Sequence, residues 1–103
     1  MASVIWTEPA LKDLNNITEY ISKDSEFYAS KLTKKIFEIT KKLASYPDIG
    51  KPVEELKPLP YKEILFKKYR IIYRATSSKV YIISVQHSSR LLSNNETFKD
   101  IFE

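Results

Sequence analysis

The sequence predicts an α+β fold: an N-terminal strand, a two-helix antiparallel hairpin packed on one face of a twisted, mainly antiparallel sheet, and a short C-terminal helix or tail (β-α-α-β-β-β). Three observations predict it. Residues 8–46 hold two runs of apolar side chains at helical spacing. Residues 61–87 hold three runs rich in β-branched and aromatic residues, separated by short polar breaks. A brief apolar run at residues 3–7 precedes the helices. At 103 residues the chain is long enough for one core and too short for two, so residues 1–103 are expected to form a single domain.

Each element follows from its own residues. Val4, Ile5 and Trp6 form the first strand, with Trp6 expected in the core. Thr7 is suited to cap a helix because its hydroxyl can accept from an early amide, Glu8 favours the positive end of the dipole and Pro9 has no donor to lose. Leu11, Leu14, Ile17 and Ile21 then make one apolar stripe, with Lys12, Asp13, Asn16 and Glu19 facing out. Ser25 or Asp24 caps a second helix whose stripe is Tyr28, Leu32, Ile36, Ile39 and Leu43. Its off-stripe lysines, Lys31, Lys34, Lys35, Lys41 and Lys42, read as a solvated face. Pro47 stops it.

Residues 48–60 hold the one glycine, Gly50, together with Pro52, Pro58 and Pro60, and are expected to be an irregular connection in which Gly50 supplies a backbone bend. Tyr61 to Phe66, Tyr69 to Ala75 and Lys79 to His87 follow as a three-stranded meander, with Lys67-Lys68 as one tight turn. Phe98, Ile101 and Phe102 at helical spacing mark the terminal helix or tail.

Composition excludes several function classes. Apolar residues at 43% and charged residues at 29% are globular values, not those of a disordered chain. With no cysteine and one histidine, neither a disulfide framework nor a metal site is expected, and no cofactor is implied. Met1-Ala2-Ser3 leads into a strand with no basic n-region, and no long apolar run occurs. Neither a signal peptide nor a membrane partner is therefore expected, and a cytoplasmic location fits.

Charge is the lopsided property. Residues 1–60 balance nine lysines against nine acids, whereas residues 61–90 set seven Lys and Arg against the single acid Glu63. In the strand Tyr69-Arg70-Ile71-Ile72-Tyr73-Arg74, alternation turns Tyr69, Ile71 and Tyr73 one way and Arg70, Ile72 and Arg74 the other. The expectation is a core on one side of the sheet and an open cationic face on the other, suited to a polyanion or an acidic protein. The alternative is a solvated face in which Arg70 and Arg74 pair with Glu63 and the acidic C-terminal residues.

The order and spacing of these segments resemble the RelE/ParE superfamily of toxins from type II toxin–antitoxin systems. The likeness runs from Val4-Ile5-Trp6 and the helix bearing Leu11, Leu14, Ile17, Tyr20 and Ile21, through Pro47-Asp48-Ile49-Gly50-Lys51, to Tyr69–Arg74 and Val85-Gln86-His87-Ser88-Ser89-Arg90. It implies a growth-inhibiting toxin neutralised by a cognate antitoxin encoded beside it, an extended segment of which wraps the toxin. RelE-like members cleave messenger RNA on the ribosome without a metal, and ParE-like members poison DNA gyrase.

RNA cleavage at a 2′-hydroxyl needs a base, an acid and cations to stabilise the phosphorane. His87 is the one imidazole, the side-chain type whose ordinary pKa suits both proton steps. By resemblance, Lys62, Arg70 and Arg90 match basic positions of the RelE nucleases, so a nuclease would use Lys62, Arg70, His87 and Arg90. The pattern then departs: Ile64 and Ser88 stand where those nucleases are basic, and no tyrosine follows Arg90. The ending Val85 to Arg90 is closer to ParE-like members, which favours gyrase as target, with Lys62, Lys67, Lys68, Arg70, Arg74 and Arg90 as the gripping residues. A ribosome-dependent RNase and an inactive family member acting as a binding module are the alternatives.

Overall fold

The computed structural model describes residues 2–103. Strand β1 (Ser3–Trp6) leads into α1 (Glu8–Ser22) and α2 (Glu26–Lys42); β2 (Lys51–Pro52), β3 (Lys62–Phe66), β4 (Tyr69–Ala75) and β5 (Lys79–His87) follow, and α3 (Lys99–Phe102) closes the chain. The five-stranded sheet has the order β1-β5-β4-β3-β2. Only β1 and β5 pair in parallel, Ser3 to Trp6 lying against Lys79 to Ile82, while every other neighbour is antiparallel. This is the α+β architecture expected from the sequence, with the first strand placed beside the last and one short extra strand, β2, inside the connection expected to be irregular.

Both helices start where side-chain chemistry satisfies free amides. The Thr7 hydroxyl oxygen accepts from the Ala10 N–H at 3.3 Å and donates to the Ile82 carbonyl at 2.8 Å, so one residue caps α1 and ties it to β5. Ser25 accepts from the Tyr28 N–H at 3.1 Å. Most of the expected stripe is in the core, with Leu14, Leu32, Ile36 and Leu43 buried and Ile17, Ile21 and Ile39 packed against them, but its first member on each helix is not. Ala10 and Leu14 are buried on α1, and Ala29, Leu32 and Ile36 on α2, whereas Leu11 is 40% and Tyr28 44% exposed. The small side chains Ala10 and Ala29 are buried, and the large ones beside them turn outward. These stripes meet Ile71, Tyr73, Val80, Ile82 and Val85 in the main core, where each buried Leu, Ile or Val contributes about 1.5–3 kcal/mol.

The far face of the sheet is not open. Val53, Leu56, Ile72, Leu92 and Phe98 form a second core there, flanked by Tyr61 and Ile83. A 3-10 turn at Glu54–Leu56 and the segment from Leu92 to Phe98 fold over that face. The expectation of helices on one side and solvent on the other is thereby corrected: the irregular connection and the chain end supply the missing layer. A bulge supports the arrangement, since Ile72 faces Ser84 while Tyr73 faces Ile82, which leaves Ile83 as an extra residue on β5.

Gly50 acts differently from its expected part as a bend. Its φ is not positive. A Cβ there would lie 2.6 Å from the Tyr73 hydroxyl and 2.7 Å from the Glu63 carbonyl oxygen. The glycine is required by close approach: the Gly50 N–H donates to the Tyr73 hydroxyl oxygen at 2.9 Å, and that hydroxyl donates to the Pro47 carbonyl at 2.8 Å. No helix among the described residues is long and apolar enough to cross a membrane.

Candidate functional site

Strand β4 sorts its side chains as alternation requires, with Tyr69, Ile71 and Tyr73 against the helices. Arg70 points to the far face but does not make it cationic. Its Nε donates to Glu63 Oε1 at 2.6 Å and its Nη2 to Glu63 Oε2 at 3.2 Å. Nη1 and Nη2 donate to the two oxygens of Glu55 at 2.7 and 2.9 Å. Two carboxylates thus grip one guanidinium bidentately, and the arginine side chain is only 10% exposed. The bonds to Glu55 foremost, and those to Glu63, raise the Arg70 pKa against the opposing effect of burial. The same bonds lower that of Glu55. An incoming phosphate would have to displace Glu55 to reach this guanidinium. The open cationic face expected at Arg70 is therefore corrected, because a glutamate from the proline-rich connection covers it.

The other predicted residues lie apart from it. Lys62 pairs across the ladder with Tyr73 and so belongs to the helix-facing side, with its Nζ 3.9 Å from Asp48. His87 pairs with Tyr69 on that side, their rings edge to face at 5.7 Å. Its Nδ1 accepts from the Ser89 N–H at 3.1 Å and lies 2.7 Å from the Ser89 hydroxyl. An amide donor at Nδ1 places the neutral ring's proton on Nε2 and fixes the orientation of the imidazole. Arg90 is exposed in the turn after β5. Lys67 and Lys68 form the exposed β3–β4 turn, and Arg74 is exposed near the other end of β4. Lys62 and Arg70 thus occupy opposite faces of the sheet, and the four residues of the nuclease set do not converge.

Two constellations escaped the sequence. Asp13, expected to face solvent, accepts on one oxygen from the Ser84 hydroxyl at 2.7 Å and the Val85 N–H at 3.1 Å. Strand β1 ends at Trp6, so this stretch of β5 has no strand beyond it, and Asp13 takes the donor that β1 leaves unpaired. Asn95 continues the chain, donating to Ser84 Oγ at 3.0 Å and Gln86 Oε1 at 2.7 Å, and Gln86 donates to the Arg90 carbonyl at 3.2 Å. Burial pushes the Asp13 carboxyl up, opposed by those two bonds and by the nearby charge of Arg90. An acid one residue before buried Leu14 was the only available signal.

The second constellation is aromatic and cationic. Lys67 Nζ lies 5.2 Å from the Tyr28 ring centre, 5.7 Å from that of Phe66 and 3.3 Å from the Tyr28 hydroxyl. Tyr69 is next to them, its pKa raised by burial first and then by Tyr28 and Tyr20. The signal was Tyr28 itself, which periodicity assigned to the core in place of Ala29. Among the described residues, no three His, Asp or Glu side chains gather to hold a metal ion.

Comparison with known proteins places this geometry in a family. Residues 4–92 match the family model described as ParE toxin of type II toxin–antitoxin system. Toxin RelE2 of Caulobacter vibrioides is 32% identical over 92 residues, covering 88% of this chain and all of the relative. Among solved structures, the chromosomal ParDE system of P. aeruginosa superposes with a TM-score of 0.71 at 23% identity, over 84% of this chain and 96% of that one. The RelBE2 toxin–antitoxin complex of Mycobacterium tuberculosis does so with a TM-score of 0.64 at 21% identity, over the same 84% and 96%. The matched segment takes in β1, both helices and the whole meander, and on that extent the chain belongs to the ParE toxin family of type II toxin–antitoxin systems.

Proposed function

We propose that this toxin stops growth by holding a protein target, with DNA gyrase as that target, and that it does not cleave RNA. The observation that carries the reading is the Arg70 site. The guanidinium that a ribonuclease would use on phosphate is neutralised by Glu55 and Glu63, and Lys62 stands on the other face of the sheet. His87 likewise lies on the helix-facing side, paired with Tyr69 and held by Ser89, away from the Arg70 guanidinium. Lys67, Lys68, Arg74 and Arg90 are exposed and supply the positive charge of the grip.

A cognate antitoxin completes the system. Solved relatives are named as toxin–antitoxin systems, and this chain exposes apolar side chains that a partner would cover, Tyr46, Ile49 and Leu91 each being more than 60% exposed. The name of the Caulobacter relative supports the competing reading, a ribosome-dependent RNase.

Induction of the toxin with separate readouts of DNA supercoiling and messenger-RNA integrity decides between them. Gyrase poisoning predicts altered supercoiling with intact messages. The His87→Ala variant is expected to retain growth arrest, and charge reversal at Arg90 to weaken it. Loss of arrest in folded His87→Ala, with messages cleaved by the parent, would overturn the reading.

A further inference from the structure

We propose that the end of the molecule where the α1–α2 hairpin meets the β3–β4 turn binds single-stranded nucleic acid, with bases stacking on exposed tyrosines and phosphates held by Lys67 and Lys68. This surface shares Lys67 and Lys68 with the proposed grip on gyrase, and its test uses no gyrase. It rests first on rings that the core does not use: Tyr20 is 72%, Phe27 74% and Tyr28 44% exposed. Burial of any of them in the free protein would have added apolar stabilisation, so their exposure answers to something other than folding.

The second observation is Lys67. Its φ of 54° lies in the left-handed region, where Gly or Asn is the ordinary occupant of a two-residue hairpin turn. Turn chemistry therefore argues against a lysine here. The side chain nevertheless has a defined place, over the Tyr28 and Phe66 rings and within reach of the Tyr28 hydroxyl. It makes no ion pair among the described residues. Lys31 repeats the arrangement one turn along α2, its Nζ 5.6 Å from the Phe27 ring centre. Cations lodged beside rings, with no carboxylate in attendance, suit a ligand that brings both a negative charge and a flat π surface.

Single-stranded nucleic acid has that chemistry, and stacking on aromatic side chains beside a basic track is its general mode of sequence-tolerant binding. A duplex hides its base faces and would use only the lysines. An acidic peptide would use only the lysines as well, and leaves the exposed rings unexplained.

The test uses the purified full chain and fluorescence anisotropy with a labelled oligouridylate, the corresponding RNA duplex and a polyglutamate peptide. Oligouridylate is expected to bind more tightly than either of the others. Tyr28→Leu and Lys67→Gly should each weaken it by about five- to tenfold. Lys67→Gly should melt no lower than the parent, because glycine accepts the left-handed backbone without strain. Lys79→Ser, at the start of β5 and the opposite end of the sheet, should change the affinity by less than about twofold. Absence of oligouridylate binding, equal or tighter binding of duplex or polyglutamate, or full affinity in folded Tyr28→Leu and Lys67→Gly would each overturn the proposal.

Discussion

At the scale of single residues, the behaviour of this protein is set by how its few buried charges are compensated. Glu63 is 6% exposed, so Arg70→Met leaves a buried carboxylate without its counter-charge and should cost about 3 kcal/mol in urea unfolding. The double variant Arg70→Met with Glu63→Met should recover much of that loss. Single variants that proved additive would show that the two groups do not interact. Acid titration separates two carboxyls of opposite sign. Glu55 has a lowered pKa, so its contribution is present above its ordinary value of 4.5 and is lost as pH falls through the lower, folded value. Its partial exposure keeps that contribution below about 1 kcal/mol. Asp13 is raised, so the folded chain holds a proton that the unfolded chain has released just above pH 3.8, and stability declines as pH rises through that window. Asp13→Asn should remove this slope while keeping both bonds, which reach a single carboxylate oxygen. An unchanged pH profile of the urea midpoint in Asp13→Asn would refute this account.

At the scale of elements, what was legible depended on whether the signal is local. Helix starts at Thr7 and Ser25, the Lys67-Lys68 turn and the alternation of β4 each follow from neighbouring residues, and each is present. The helix stripes were legible at Leu14, Leu32, Ile36 and Leu43 but not at Leu11 and Tyr28, because which of Tyr28 and Ala29 turns inward depends on how closely α2 packs on its neighbours. The cover over Ile72 was not legible at all. Its residues Val53, Leu56, Leu92 and Phe98 come from segments with no periodicity, so nothing local announced that they share a face. The same is true of Glu55, whereas Glu63 stood in the sequence as one possible partner of Arg70. The path from α2 to β2 depends on Tyr73, whose hydroxyl binds the backbone at Pro47 and Gly50. Tyr73→Phe should cost about 1–2 kcal/mol and raise hydrogen exchange at Gly50 before that of β4. Gly50→Ala should cost about 1–3 kcal/mol through overpacking. A thermal melt matching the parent would show that the connection can yield.

At the scale of the whole molecule, two cores share one sheet, and the smaller is closed by the chain end. Phe98 is fully buried there, meeting Tyr61 edge to face at 5.8 Å between ring centres. Phe98→Ala should cost about 3–5 kcal/mol, a large share of the roughly 5–15 kcal/mol that holds a domain of this size together. The expected signs are a lower melting temperature and earlier exchange at Ile72 and Ile83 than at Val80. Uniform loss of protection across both cores would show that they unfold as one.

The parallel pairing of β1 with β5 also bears on how the toxin comes into being during synthesis. Ser3 finds its partner only when Lys79 exists, so the first strand made waits for the last. Such a long-range closure is slow and cannot be completed on a short nascent chain. Chains halted before Lys79 should be digested rapidly by protease, because the edge of the sheet that β1 forms has no partner until residues 79–82 have been made.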